Sequence, residues 1–366
     1  MAHKTLKKAI KEKKDEFYTQ LVDIEKEFRH YRSQFKGKIV YCNADDPFES
    51  NFFKFFASNF NFFGLKKLIV TSYAGSPITG SQLSLFDIKG VKSKKKKEPL
   101  KITIKEVKDF NNDGATDISD IEYLLKNDKN SSAPLVGDGD FRSDESIEIQ
   151  KEADIVVTNP PFSLFREYIA QLEKYKKKYL IIGNTNAISY KETFALIKEN
   201  KMRTGYTNFN VGMFFVVPKN WKKYHHIDSH GNKIARVSTS CWFTNLHVKK
   251  HTEDLILYKT YKGNKDQYPK YENYDAIEVS KVSDIPMDYD GPMGVPITFI
   301  DKHNPKQFEI IGFTHRNDPY NLKTKIYTKK DADNFNDLNG SPIIKKGNKF
   351  KFVYMRIIIR NKKLQK

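Results

Sequence analysis

Asp154-Ile155-Val156-Val157-Thr158-Asn159-Pro160-Pro161-Phe162 is the stretch whose reading decides the fold of this chain. Residues 154–158 read as a strand that halts at two consecutive prolines, with an amide just before them and an aromatic ring just after. Proline fixes φ and removes a backbone donor, so the loop is stiff and its carbonyls stay open to a ligand. An Asn carbonyl held beside a Pro carbonyl accepts both hydrogens of an exocyclic amine, and Phe162 offers a flat surface to the ring that carries it. A strand end stiffened by Pro-Pro for structural reasons alone fits the same residues. The surrounding chain has to decide between them.

Working outward, strands and helices alternate. Strands are expected at 38–42, 65–72, 102–104, 154–158, 179–182, 212–217 and 238–243, and helices at 50–60, 117–127, 163–175 and 191–200. Residues 4–35 read as one long helix, with Leu6, Ile10, Phe17, Leu21, Ile24 and Phe28 at helical spacing and a weak point at 15–20. Strands alternating with helices of about 10–13 residues predict an open α/β sheet, mainly parallel. In such sheets ligands bind beyond the carboxyl ends of the strands, where Asp45, Asp140 and Asn159 fall. The pattern dissolves over 74–100, where Lys92-Ser93-Lys94-Lys95-Lys96-Lys97 reads as a solvated, mobile loop. After 250, Tyr, Pro, Asn and Gly become dense and helical periodicity is lost. The expected domains are a helical segment 1–36, a catalytic domain 37–250 and a second, less regular domain 251–366.

Composition narrows the partners. A chain of 366 residues has room for about two domains. The formal charge of +19 and pI near 9.5 point to a polyanion. Only nine of the 64 basic residues are Arg, though, and a Lys-, Asn-, Ile- and Phe-rich chain also follows from an AT-rich genome. Nucleic acid stays the leading partner. No stretch reaches the ~18 apolar residues of a membrane span, and no apolar core follows the Lys-rich start, so a cytoplasmic protein with no membrane partner is expected. Two cysteines, Cys42 and Cys241, give no disulfide framework and no zinc spacing, so no metal is expected.

Two further loops fall at the ligand-binding edge. Asp45-Asp46-Pro47 leads into a helix but lacks G-x-G-x-x-G, and taken alone it reads as a helix-start turn rather than a site. In Gly137-Asp138-Gly139-Asp140-Phe141 the Asp140 carboxylate can accept from an adenine amine and Phe141 can pack on its ring; a simple Gly-Asp turn is the other reading. At Asn159 the chemistry is explicit. An aromatic amine is a poor nucleophile because its lone pair is delocalised. Two acceptors drawing on its hydrogens favour a pyramidal nitrogen and localise that pair, which is catalysis by positioning and electrostatics.

Together these residues resemble the amino-methyltransferases of DNA, and more narrowly the EcoRI-type adenine-specific DNA methyltransferases. Residues 15–20, Asp15-Glu16-Phe17-Tyr18-Thr19-Gln20, look like the N-terminal cofactor motif. Asp46-Pro47 with Ser50 looks like the first cofactor loop, Gly139-Asp140-Phe141 like the loop that holds the adenosine ring, and Asn159-Pro160-Pro161-Phe162 like the catalytic motif. Tyr41-Cys42-Asn43-Ala44-Asp45-Asp46-Pro47 and Met293-Gly294-Val295-Pro296-Ile297-Thr298-Phe299 also resemble the family.

The resemblance implies a Rossmann-like sheet of seven mostly parallel strands with a C-terminal target-recognition domain. It implies S-adenosylmethionine as cofactor, held by Phe17, Tyr18, Thr19, Asn43, Asp45, Asp46, Asp140 and Phe141. Asn159, Pro160, Pro161 and Phe162 are the implied catalytic residues, and the substrate is adenine N6 flipped out of double-stranded DNA. A monomer working beside a cognate restriction endonuclease is expected. Two departures stand out: Ser50 and Asn51 replace the usual small residues of the first loop, and Thr71-Ser72-Tyr73 offers no acid to the ribose. Cytosine-N4, RNA-base and protein-glutamine methylation use related loops, and a DNA-binding protein with a structural α/β domain is the non-enzymatic alternative. A large Tyr- and Lys-rich second domain and Phe162 in place of Tyr or Trp favour adenine in DNA.

Overall fold

The computed structural model describes residues 18–43, 50–73, 99–114, 116–127, 132–217, 221–229, 231–347 and 349–364. The chain divides into two compact units, residues 1–187 with 204–247 and residues 188–203 with 248–366. The first unit carries β1 (Tyr18–Thr19), β2 (Ile39–Cys42), β3 (Lys67–Thr71), β4 (Leu100–Ile104), β5 (Ser132–Pro134) and β6 (Ile155–Thr158). There follow β7 (Lys178–Asn184), β8 (Arg203–Thr204), β9 (Met213–Val217), β10 (His226–Ile227), β11 (Lys233–Val237) and β12 (Ser240–Thr244).

Eight of these form one sheet in the order β5-β4-β3-β2-β6-β7-β12-β8. Its centre, β3-β2-β6-β7, is parallel; β4 and β12 run against it at the flanks, and β5 pairs antiparallel with β4. The expected α/β class is present, with eight strands where seven were expected. The edge strands β5 and β8 are three and two residues long, too short for any periodicity to announce them. At the centre the sequence speaks plainly: all four residues of β6 are buried, as a parallel strand covered on both faces requires.

Chain order fixes where this sheet can bind. From β2 the chain moves outward to β3 and later returns to β2's other side as β6. The order therefore reverses between β2 and β6, and a crevice opens beyond their carboxyl ends. The crossover from β6 to β7 is the helix Phe165–Lys174, which buries Phe165, Tyr168, Ile169 and Leu172 at i, i+3, i+4 and i+7. The helix Asn51–Ser58, capped by Ser50 Oγ on the Phe52 amide at 3.0 Å, buries Phe52, Phe53, Phe55 and Phe56. Phe28 meets Phe56 edge-on at 5.1 Å and Trp242 at 5.6 Å in the aromatic core that results.

Two segments differ from the sequence reading. The expected helix 4–35 is, among the described residues, the strand β1 followed by helices Leu21–Phe28 and Arg32–Phe35. Tyr18 and Thr19 pair with Val216 and Phe215 of β9, and the Gln20 amide bonds Phe214 O at 3.3 Å, which takes the backbone out of the helix at its weak point. Strand β9 was expected in the main sheet. It lies instead in a second, four-stranded sheet, β1-β9-β11-β10, antiparallel throughout. A parallel strand needs a crossover of a dozen or more residues, usually helical, and no helix lies between β9 and β11 among the described residues.

The second unit carries β13 (Ile277–Glu278), β14 (Met293–Pro296), β15 (Phe308–Phe313), β16 (Ile343–Lys346), β17 (Lys349–Phe352) and β18 (Arg356–Asn361). Four of them pair as β13-β14-β18-β15, and β16-β17 form a separate ribbon. The helix Lys191–Lys198 packs here through Phe194, 4.5 Å from Phe313. Arg356 and Glu278 form a buried bidentate ion pair at 2.7 and 3.1 Å that also receives the Tyr271 hydroxyl. No described helix is long and apolar enough to cross a membrane.

Gly139 joins the 137–143 loop to the end of β3. Its φ is +81°, and a Cβ there would lie 2.0 Å from Ser72 O, so Gly139→Ala should destabilise the first unit by ~1–3 kcal/mol in urea unfolding. In the second unit, burial holds His303 down at about 4 while its Nε2 donates to Phe308 O at 3.1 Å. The unfolded chain takes up the proton near pH 6.5 and the native one only near 4, so stability present above 6.5 is lost as pH falls through that window. The loss should reach about 3 kcal/mol, and His303→Gln should flatten the profile between those pH values.

Candidate active site at the carboxyl ends of the central strands

The ends of β2, β3 and β6 are tied by side chains. Thr158 Oγ1, at the end of β6, donates to Asn43 O just beyond β2 at 2.7 Å. Asn43 Nδ2 donates to the Tyr41 hydroxyl at 2.6 Å, and that hydroxyl meets Thr71 Oγ1 of β3 at 2.9 Å. Burial pushes Tyr41 up to about 12, so the phenol stays neutral. Asn159 therefore leaves β6 from an anchored position, half-buried, with Pro160 buried behind it. Pro161 O accepts from Leu164 N at 2.9 Å, closing a 3-10 turn over Phe162–Leu164 that runs into the crossover helix. That bond takes up the carbonyl of the second proline. Phe162, 7% exposed, starts the turn.

Asn43 was expected at the cofactor site. It is 1% exposed, and its Oδ1 has no partner among the described residues. Leaving a buried polar atom unpaired costs about 1–3 kcal/mol, which a ligand donor would recover. Thr19 repeats the pattern: buried at 3%, its Oγ1 has no partner among the described residues, while its carbonyl accepts from Asn51 Nδ2 at 2.6 Å. That bond brings β1 to the first turn of the helix that follows residues 44–49. Tyr18 is placed by its pairing with Val216. Phe17, Asp45 and Asp46 lie outside the described residues.

Asp140 and Phe141 sit on the loop that Gly139 packs against Ser72. The Asp140 carboxylate is held by Arg142 through Nε at 2.9 Å and Nη2 at 2.7 Å, and by the Arg142 amide at 2.8 Å. Hydrogen bonding to that guanidinium holds the carboxyl below its usual range. A carboxylate offers about four acceptor positions, so one stays open for an incoming amine. Arg142 also reaches Glu167 on the crossover helix at 3.2 Å. Phe141 is buried edge-on against Tyr168 at 4.9 Å, and Gln171 Nε2 donates to its carbonyl at 2.8 Å. Sequence reasoning missed Arg142 and the Tyr41–Thr71–Thr158 network. Polar residues at the carboxyl ends of three neighbouring apolar strands were the available signal for the network.

Among the described residues no group of His, Cys, Asp or Glu could hold a metal. The arrangement is a polar crevice with unpaired acceptors at a strand-order reversal, fitted to a ligand rich in N–H and O–H donors.

Residues 5–362 match the family described as adenine-specific methyltransferase EcoRI. The chain is 45% identical to the type II methyltransferase M.EcoRI of Escherichia coli, over 100% of this chain and 98% of the relative. It is 35% identical to the type II methyltransferase M.MpnI of Mycoplasma pneumoniae over 97% of each chain, and 36% identical to M.MgeORF184P of Mycoplasma genitalium over 98% of each. No solved structure matches the chain. A family match over nearly every residue, with relatives alike along their whole length, makes this protein a member of the EcoRI family of adenine-specific methyltransferases.

Proposed function

We propose that this adenine-specific methyltransferase modifies N6 of an adenine flipped out of double-stranded DNA, with S-adenosylmethionine as donor and Asn159-Pro160-Pro161-Phe162 as the catalytic loop. The observation that carries the reading is the placing of Asn159 and Asn43 on the two sides of the strand-order reversal, tied by Thr158. Asn159 Oδ1 and Pro160 O accept the two N6 hydrogens and turn the nitrogen lone pair out of the ring. Phe162, fixed by the 3-10 turn, supplies an apolar wall to the base. Stiffness matters because acceptors already in place cost no reorganisation when charge develops on the amine.

Asn43, Thr19, Asp140 and Phe141 fit the cofactor, through two orphaned acceptors, one open carboxylate position and an apolar ring edge. Phe17, Tyr18, Asp45 and Asp46 join them on the resemblance. When bound, S-adenosylmethionine supplies an electrophilic methyl on a sulfonium. The sheet is then the Rossmann-like sheet of this enzyme class, and 251–366 is the target-recognition domain. Activity as a monomer, beside an endonuclease that cuts the same site, completes the reading.

Asn159→Ala should lower methyl transfer into DNA by ~10²-fold or more while duplex binding is kept, by analogy with removal of one preorganised polar group. Unchanged transfer would sink the catalytic assignment. Asn43→Leu keeps the backbone carbonyl that anchors Thr158 but removes the orphaned amide. Equilibrium dialysis should then show S-adenosylmethionine binding weakened about tenfold, the equivalent of one hydrogen bond. Wild-type affinity in that variant would remove Asn43 from the cofactor site.

A further inference from the structure

We infer that the β16–β17 ribbon of the second unit is the element that enters the major groove of DNA. The inference rests on the DNA reading above. Strands Ile343–Lys346 and Lys349–Phe352 pair antiparallel through four residue pairs, from Ile343 with Phe352 to Lys346 with Lys349. The base of the ribbon is fixed on both faces. Ile343 packs with Tyr327 and Leu338, and Ile344 with Tyr271, Tyr274 and Ile358. Phe350, opposite Lys345, packs on the same cluster with its ring 5.9 Å from Tyr327, so the ribbon is anchored as far as its third residue pair. Residues 345–351 hold four lysines and no acidic residue. Lys345, Lys349 and Lys351 are exposed, and none is paired with a carboxylate among the described residues.

Geometry and charge both select the occupant. Two strands lie about 4.8 Å apart, and four residues span about 13 Å, a size that a ~12 Å major groove admits. Exposed lysine ammonium groups on a firmly anchored ribbon suit phosphate oxygens along the groove walls. Phe352, 44% exposed, and Tyr354, 89% exposed, add apolar and hydroxyl surface beside it, the two kinds of contact that base edges and thymine methyls offer. A minor groove about 6 Å wide would not take two strands.

The test compares wild type with the Lys345→Gln, Lys349→Gln, Lys351→Gln triple variant. All three side chains are exposed, so the fold should be kept. The probe is a labelled duplex carrying a site that the wild type methylates in genomic DNA. Affinity is followed by anisotropy across a salt series, and dimethyl sulfate reports guanine N7 in the major groove and adenine N3 in the minor groove. Loss of three phosphate contacts should make the slope of log affinity against log salt shallower by about 2.7, at ~0.9 per phosphate. Protection of guanine N7 should be lost with it. An unchanged slope, or protection lost only at adenine N3, removes the ribbon from the major groove while DNA methylation by wild type stands. Failure of the wild type to methylate any DNA overturns both readings.

Discussion

The short hydrogen bond from Thr158 Oγ1 to Asn43 O joins the ends of two parallel strands where the order of the parallel strands reverses. Everything proposed for the site depends on that join. A parallel sheet aligns its strands but leaves their ends free, and loops that diverge from them have no fixed separation. Here the polar ends are linked in a chain from Thr158 through Asn43 and Tyr41 to Thr71, inside the water-excluded edge of the sheet. A network of this kind rigidifies when each member is satisfied and is costly where one is not. The exception in it, Asn43 Oδ1, is where a ligand is expected.

The second unit uses the same physics for a different end. Glu278, Arg356 and Tyr271 form a buried ionic cluster, and Gly294 leaves the room for it: a Cβ there would lie 2.3 Å from the Tyr271 hydroxyl. Such pairs add little net stability over apolar packing but penalise every arrangement that separates them. They tie β13 to β18 across β14, and β17, which carries Lys349 and Lys351, leads directly into β18. A precise frame under an exposed basic ribbon is what reading a sequence in a groove requires.

Much of this was legible in the residues. The central strands are continuous apolar runs that only a sheet covered on both faces accommodates, and Pro160-Pro161 marks where β6 must end. What sequence reasoning missed was set by contacts distant in the chain. Nothing local in Tyr18-Thr19 says that Val216 and Phe215 will pair with it. Strand β9 looked like its neighbours, and only the absence of a helical crossover sends it to another sheet. Asp140 read as an open carboxylate, because a bidentate contact from Arg142 depends on how the turn folds back. The edge strands β5 and β8 carry too few residues to show any period.

The most direct measurement is the identity of the methylated nucleoside. DNA incubated with the protein and methyl-labelled S-adenosylmethionine is digested to nucleosides and separated by liquid chromatography with mass detection. Label confined to N6-methyladenine is the expected result, since the family is adenine-specific and the proposed catalytic loop is to receive an exocyclic amine. Label in N4-methylcytosine, or in protein with none in DNA, would contradict it.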